Sequence, residues 1–96
     1  MIKLSNVNEV QKGNKVFVRE ITPMWDSEKK EYYNHCFEYV FEVIKNNPNT
    51  LGCKYVNGPY KGSSFKWIKG YSLLNGKKEY FLIENDNEIL DKNYRI

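Results

Sequence analysis

The chain has 96 residues, a formal net charge of +3 at pH 7 and two cysteines. This length predicts one domain with a small core and leaves little room for a buried catalytic cleft built from many residues. No apolar run approaches the roughly 20 residues that span a bilayer, and the polar residues directly after Met1 do not form a secretory signal, so we expect a cytoplasmic protein.

The first predicted strand follows a polar segment, residues 1–14, and covers residues 16–21. Alternation of its side chains indicates two faces, as in a half-buried strand. We expect the strand to end at Thr22-Pro23, because proline cannot donate to the hydrogen-bond ladder of a sheet. The two faces are Phe17, Arg19 and Ile21 on one side and Val16, Val18 and Glu20 on the other.

Residues 22–35 are mixed and charged, which predicts a loop. Met24 and Trp25 are the apolar residues near its start. A tryptophan in such a loop either folds back onto the core or lies at a contact site.

Residues 36–45 fit two descriptions. An apolar stripe with spacing i, i+3, i+4 and i+7 favours a helix, which could begin near Asp26 or Ser27 and end before Pro48. The residue types favour a strand, since aromatic and β-branched side chains dominate and only the glutamates are good helix formers. We favour the strand, with Phe37, Tyr39, Phe41 and Val43 on one face and Glu38, Val40, Glu42 and Ile44 on the other.

The rest of the chain is rich in strand and turn signals. The predicted strands are residues 51–56, 65–74 and 80–83. Asn75-Gly76 indicates a type I′ hairpin that pairs the last two of them. Residues 85–96 are acidic and polar, and they predict a loose tail or a short terminal turn.

About five short strands predict a small, all-β or β-rich single domain with a strongly bent antiparallel sheet or an SH3-like barrel. A strand, a long loop, a strand and then hairpins resemble the order of elements in SH3-like barrels. Lys12–Val18 resembles the glycine-led first strand of KOW-type barrels, but the glycines that follow in that pattern are absent, so we assign no family. If residues 27–46 formed a helix instead, the fold would be α+β.

The basic side chains are concentrated in one part of the chain. Residues 43–78 carry seven lysines and no acidic residue, and aromatic rings are interleaved with those lysines. Lysines neutralise phosphates and rings stack on bases when proteins bind single-stranded nucleic acid. The predicted binding residues are Lys54, Tyr60, Lys61, Lys66, Trp67, Lys69, Tyr71, Lys77 and Lys78.

We therefore predict a non-enzymatic binding module that contacts an anionic macromolecular surface, either nucleic acid or a nucleic-acid-handling complex. Trp67 or Tyr71 would stack on bases if its ring is exposed. The same pattern also fits ordinary hairpins, in which rings point inward and lysines outward to solvent.

The alternative function is a small inhibitor of phage or mobile-element type. The chain has 13 lysines, 12 asparagines and no alanine, a composition that AT-rich coding favours. Such a protein would bind a host protein, for example a defence protein, through Met24, Trp25 and the 22–35 loop.

Catalytic and metal signatures are weak. We predict no cofactor and no metal, because zinc sites need four ligands at characteristic spacings and His35 is the only histidine. We predict no enzymatic activity. The remaining alternative is an activity around His35 and a cysteine, in which Cys53 could meet His35 across strands, whereas the neighbouring Cys36 would point the opposite way on a strand.

Overall fold

A computed structural model describes residues 1–74 and 76–85 of the chain. These residues form one six-stranded antiparallel sheet and a 3₁₀ turn at Val7–Glu9. The strands are β1 (Ile2–Lys3), β2 (Lys15–Asp26), β3 (Glu31–Asn46), β4 (Thr50–Tyr55), β5 (Ser64–Ile68) and β6 (Lys78–Ile83). Their order across the sheet is β1-β6-β2-β3-β4-β5. The predicted fold class, a small antiparallel β domain, is confirmed.

The long hairpin of β2 and β3 is the centre of the sheet. Its register runs without interruption from Lys15 opposite Glu42 to Asp26 opposite Glu31. The strand interpretation of residues 36–45 is confirmed, and the helix over 27–46 is wrong. The loop over 22–35 is also wrong, because all of these residues except the turn at 27–30 belong to the two strands.

Pro23 does not end β2, although the sequence predicted that it would. Ile21 N donates to Lys77 O on the β6 side of the strand. The nitrogen of Pro23, two residues later, points to the same side of β2. At this position β2 has passed the last residue that pairs with β6. The ladder between β2 and β3 therefore loses no donor, and the strand continues to Asp26.

Strand β4 matches the predicted strand over 51–56 to within one residue. Strand β5, however, ends at Ile68 rather than at residue 74. Gly70 has a φ of +85°, which turns the chain out of the strand direction. The following residues cross to the N-terminal segment, where Val7 N donates to Tyr71 O at 3.1 Å and Leu73 N donates to Ser5 O at 2.8 Å.

Strand β6 confirms the predicted strand over 80–83 but has different neighbours. It pairs with β1 and β2, not with β5, so the predicted hairpin between residues 65–74 and 80–83 is wrong. Residues 71–73 cross to the N-terminal segment, and β6 then forms between β1 and β2. Asn75, half of the predicted turn, and nearly all of the predicted tail over 85–96 lie outside the described residues.

The sheet is bent but is not closed into a barrel. In the described part of the chain, β1 and β5 are the two margins and do not pair with each other. One antiparallel bridge, between Asn6 and Ser72, joins the segments that follow these two strands. Trp67 of β5 also approaches Tyr80 of β6, with ring centroids 5.4 Å apart.

The main core lies on one face of the sheet, here called the inner face. Phe41 is at its centre, with ring centroids 5.0 Å from both Phe65 and Trp67. The opposite, outer face carries a smaller cluster. The inner core includes Val16, Val18, Tyr39, Phe41, Val43, Leu51, Cys53, Trp67 and Leu73, and the outer cluster includes Phe17, Val40 and Ile83.

The N-terminal segment, which reads as polar in the sequence, contributes three buried side chains, Leu4, Val7 and Val10. A capping box fixes this segment, since the Asn6 side chain accepts from Asn8 N and the Glu9 carboxylate accepts from Asn6 N. Among residues 1–74 and 76–85, no helix is long and apolar enough to cross a membrane.

Candidate binding site

The end of the β2–β3 hairpin that carries its turn extends beyond the rest of the sheet. We call this segment, residues 22–35, the arm. Pairing of β6 with β2 stops at Glu20, and pairing of β4 with β3 begins only at Phe41. The arm is therefore a two-stranded ribbon of five cross-strand pairs, from Thr22–His35 to Asp26–Glu31. At about 3.4 Å per residue, it extends roughly 17 Å plus its turn.

The arm exposes large side chains on both faces. On the outer face Trp25 packs edge-on against Tyr32, with ring centroids 5.0 Å apart, and these side chains remain 53% and 72% exposed. On the inner face Met24 and Tyr33 are exposed opposite each other. Single exposed hydrophobic residues are common, but an exposed pair on each face of the same ribbon is typical of a contact surface.

The turn at the end of the arm is well defined by its own hydrogen bonds. Asp26 Oδ1 accepts from Glu28 N at 3.0 Å and from Lys29 N at 3.2 Å. Lys30 closes the turn with a φ of +54°, in the left-handed region. These contacts fix the register that places Trp25 opposite Tyr32.

A second exposed surface is a basic area on the outer face of β3, β4 and β5. Gly52 lies at its centre, directly between Lys45 and Lys66 in the register, and Lys54 follows two residues along β4. None of these three lysines forms an ion pair with a residue that the structure describes. We call Lys45, Lys54 and Lys66 the basic face.

Gly52 shapes this surface because it has no side chain. A Cβ atom at this position would lie 3.0 Å from the Cβ of Lys45. The gap above the glycine is part of a groove of about 540 Å³ that Ile44 and Thr50 also line. The groove combines two cationic side chains with an apolar wall.

The other predicted lysines lie elsewhere. Lys61 is in the turn between β4 and β5, and Lys77 precedes β6. Lys69 Nζ donates to Asn46 Oδ1 and Asn47 O, at 2.5 Å each. Lys78 approaches Glu20 on the inner face, with Nζ 3.7 Å from Oε1. The predicted set is therefore divided among at least three regions. Lys54 and Lys66 share the outer face, and Lys77 and Lys78 line one cavity of about 550 Å³ with Trp67 and Tyr71.

The predicted aromatic residues are also divided. Trp67 is only 9% exposed and packs in the core, so its ring is not available for stacking on a base. Tyr71 is 58% exposed in the crossing segment, and Tyr60 is 50% exposed in the turn before β5. Neither ring belongs to the basic face, because both lie outside β3, β4 and β5.

The geometry does not support a cysteine–histidine pair. His35 and Cys36 are neighbours on a strand, so their side chains point to opposite faces. Cys53 lies opposite Val43, eight residues from His35 along β3, and burial raises the pKa of its thiol to about 12. Among the residues that the structure describes, no group of three His, Cys, Asp or Glu side chains could hold a metal ion.

Comparisons of the chain with protein-family models, with curated proteins and with solved structures give no match. The exposed surfaces and their geometry are therefore the features that bear on function.

Some residues of these surfaces were not among the sequence predictions. Tyr32 and Tyr33 directly follow the polar turn, and tyrosine favours strands, but this signal was obscured by the charged neighbours. Lys45 belongs to the acid-free segment but was not selected. Gly52 has no sequence signal of its own, because its role depends on the approach of Lys45.

Proposed function

We propose that the protein is a non-enzymatic binding module whose arm contacts a partner protein. The observation that carries this proposal is the arm itself, a ribbon that leaves the sheet and exposes Trp25, Tyr32, Met24 and Tyr33. Tryptophan and tyrosine are enriched among the residues that dominate binding energy in protein interfaces.

The charge of the arm favours a protein partner over nucleic acid. Residues 22–35 carry three acidic and two basic side chains, and all of them lie in or beside the turn. Acidic groups at the end of the arm would repel a phosphate backbone. An apolar protein groove would instead bury the exposed rings, with the charged turn at its polar rim.

Binding would also stabilise the arm. An isolated two-stranded hairpin is marginally stable in water, and this ribbon has no third strand or helix over either face among the described residues. The Trp25–Tyr32 pair supplies part of the missing packing. A partner that covers the ribbon would supply the rest.

The basic face supports a second candidate function, which is contact with an anionic macromolecule such as nucleic acid. Three lysines without ion pairs to described residues share one surface around Gly52. Such contact would be led by charge and would weaken steeply with salt. The inhibitor role suggested by the composition stays a prediction.

Affinity capture with matched variants tests the two candidates. The tagged protein, Trp25→Ala/Tyr32→Ala and Lys54→Glu/Lys66→Glu are each incubated with lysate of the source cell, and bound protein and nucleic acid are identified at low and high salt. We expect the arm variant to lose a specific protein partner at both salt concentrations. The lysine variant should retain that partner.

The proposal is contradicted if the arm variant captures the same proteins as the unmodified chain. If the lysine variant alone loses its ligand, and that ligand is nucleic acid released between about 50 and 200 mM salt, the second candidate replaces the first.

A further inference from the structure

A small aromatic pocket lies on the inner face at the base of the arm. Its volume is about 260 Å³. Its lining residues are Glu20, Thr22, Phe37, Tyr39, Pro59 and Tyr60. Thr22 is the first residue of the arm, but none of the six belongs to the exposed pairs Trp25–Tyr32 and Met24–Tyr33 or to the basic face.

Two different parts of the chain build this pocket. Glu20 faces Phe37 in the β2–β3 register, so a carboxylate and a ring are adjacent on the same face. The turn between β4 and β5 adds Tyr60, whose ring centroid is 5.9 Å from that of Tyr39. Tyr60 also packs against Tyr55 at 5.2 Å, which holds its ring at the rim of the pocket.

Glu20 gives the pocket a negative group beside aromatic walls. Its Oε2 accepts from the Tyr39 hydroxyl at 3.3 Å. Burial, and secondarily the Glu20 charge, raise the pKa of Tyr39, so its hydroxyl stays protonated and can donate to the carboxylate. Within the described part of the chain, the other oxygen, Oε1, makes a long contact of 3.7 Å with Lys78 Nζ.

Lys78 reaches Glu20 from the other side of the carboxylate. It lines a neighbouring cavity of about 550 Å³ together with Lys77 and Tyr80, and it does not line the aromatic pocket. The ammonium is thus a partial counter-ion that leaves the aromatic side of Glu20 open. A cation that enters between Phe37 and Tyr60 would meet the carboxylate without displacing a wall.

We propose that this pocket binds the guanidinium group of an arginine side chain presented by a partner. A guanidinium is planar, stacks on aromatic faces and forms paired hydrogen bonds with a carboxylate. Phe37 and Tyr60 line the pocket as aromatic walls, with Phe37 held by a ring contact of 4.4 Å with His35, and Glu20 provides the acceptor. A lysine ammonium is more strongly hydrated and cannot make the paired contact, so it should bind more weakly.

The pocket can be tested without the partner. The probe is N-acetyl-arginine-N-methylamide, titrated into the isotopically labelled protein while backbone amide shifts are followed by NMR. The matched neutral probe is the citrulline analogue, which has nearly the same shape and no charge. We expect saturable shifts at residues 20–22, 37–39 and 60 with the arginine probe, and no saturation with the citrulline probe.

Variants separate the pocket from general charge effects. Glu20→Gln should weaken binding of the arginine probe by about tenfold or more, because the acceptor loses its negative charge and one of its two acceptor oxygens. Lys78→Ala should strengthen it, since a competing cation is removed. The matched control is Glu38→Gln, which removes a carboxylate of the same hairpin that pairs with Arg19 on the outer face, and it should leave binding unchanged.

Tyr60→Ala provides a test that does not depend on how Glu20→Gln folds, because the ring is half exposed. It should weaken probe binding several-fold through loss of the cation–π contact. Equal binding of the arginine and citrulline probes, or unchanged binding in both Glu20→Gln and Tyr60→Ala, would overturn the inference. Trp25→Ala/Tyr32→Ala should bind the probe normally, so failure of the pocket and failure of the proposed arm contact are distinguishable.

Discussion

The two halves of the β2–β3 hairpin have similar alternation but different surroundings. Near Phe41 the hairpin is flanked by β6 and β4 and covered by the main core. In the arm the same two strands continue with no further strand beside them among the described residues. The comparison shows that alternation specifies a strand, whereas neighbouring segments decide whether its rings become core or contact surface.

The largest expected effect is in the covered half. Phe41 is 1% exposed and contacts the rings of Tyr55, Phe65 and Trp67. Phe41→Ala should lower the free energy of unfolding by about 3–5 kcal/mol, because it leaves a cavity among rings that cannot collapse together. Denaturant unfolding measures this change. A loss similar to that of an arm substitution would contradict the assignment of the core.

A substitution in the arm should destabilise the arm and leave the covered half of the hairpin unchanged. Trp25→Ala removes one edge-on ring contact and should destabilise the ribbon by about 1 kcal/mol, which is close to a fivefold change in its opening equilibrium. Amide hydrogen exchange should therefore accelerate about fivefold within residues 22–35, while exchange around Val18 and Val40 stays the same. Equal acceleration in both halves would show that the arm and the covered half open as one unit.

A smaller effect is expected at the end of the arm. Lys30 has a φ of +54°, a conformation that costs an ordinary L-residue up to about 1–2 kcal/mol and glycine very little. Lys30→Gly should slow exchange in the arm and leave the rest of the sheet unchanged. The control is Lys29→Gly, which gains no such relief because Lys29 does not have a positive φ. Faster exchange in Lys30→Gly would contradict the described turn.

The smallest effect is electrostatic and lies in the N-terminal segment. Hydrogen bonds from the Ser5 side chain and from the Ser5 and Asn6 amides lower the pKa of Glu9. Because the folded pKa is below the unfolded one, the charged form stabilises the fold above the unfolded pKa, and this contribution disappears as pH falls through the folded pKa. The difference in unfolding free energy between the unmodified chain and Glu9→Gln should thus be largest near neutral pH and shrink in acid.

Ser5→Ala provides the control for this pH dependence. This substitution removes the hydrogen bond that lowers the pKa of Glu9 most. The unfolding free energy of Ser5→Ala should therefore fall less in acid than that of the unmodified chain. An unchanged difference between the unmodified chain and Glu9→Gln from neutral to acid pH would mean that the capping box does not select the charged carboxylate.

Much of the sheet could be predicted from local pattern. The strands around Phe17, Phe41, Cys53 and Phe81 have alternating side chains or β-rich composition, and these features depend only on neighbours in sequence. Pairing could not be predicted in the same way. The crossing after Gly70 places β6 between β1 and β2 instead of beside β5, which depends on contacts between the N-terminal segment and residues 71–73.

In the candidate sites, too, local sequence indicates single residues, whereas their neighbours depend on the fold. Trp25 could be selected from sequence as an apolar residue in a charged segment, but its pairing with Tyr32 required the hairpin register. The basic face required knowledge of which lysines share a side, and Gly52 and Lys45 meet only through an irregular register after Val43. The aromatic pocket at the base of the arm is formed by β2, β3 and a later turn, so no local sequence pattern indicates it.

Site-specific photo-crosslinking tests the central claim most directly. A photoreactive benzoylphenylalanine is placed at position 25 in one variant and at position 54 in another, and each is irradiated in lysate of the source cell. The arm proposal predicts a discrete protein adduct from position 25 that persists at high salt, with no such adduct from position 54. Adducts to nucleic acid or protein from position 54, with none from position 25, would contradict it.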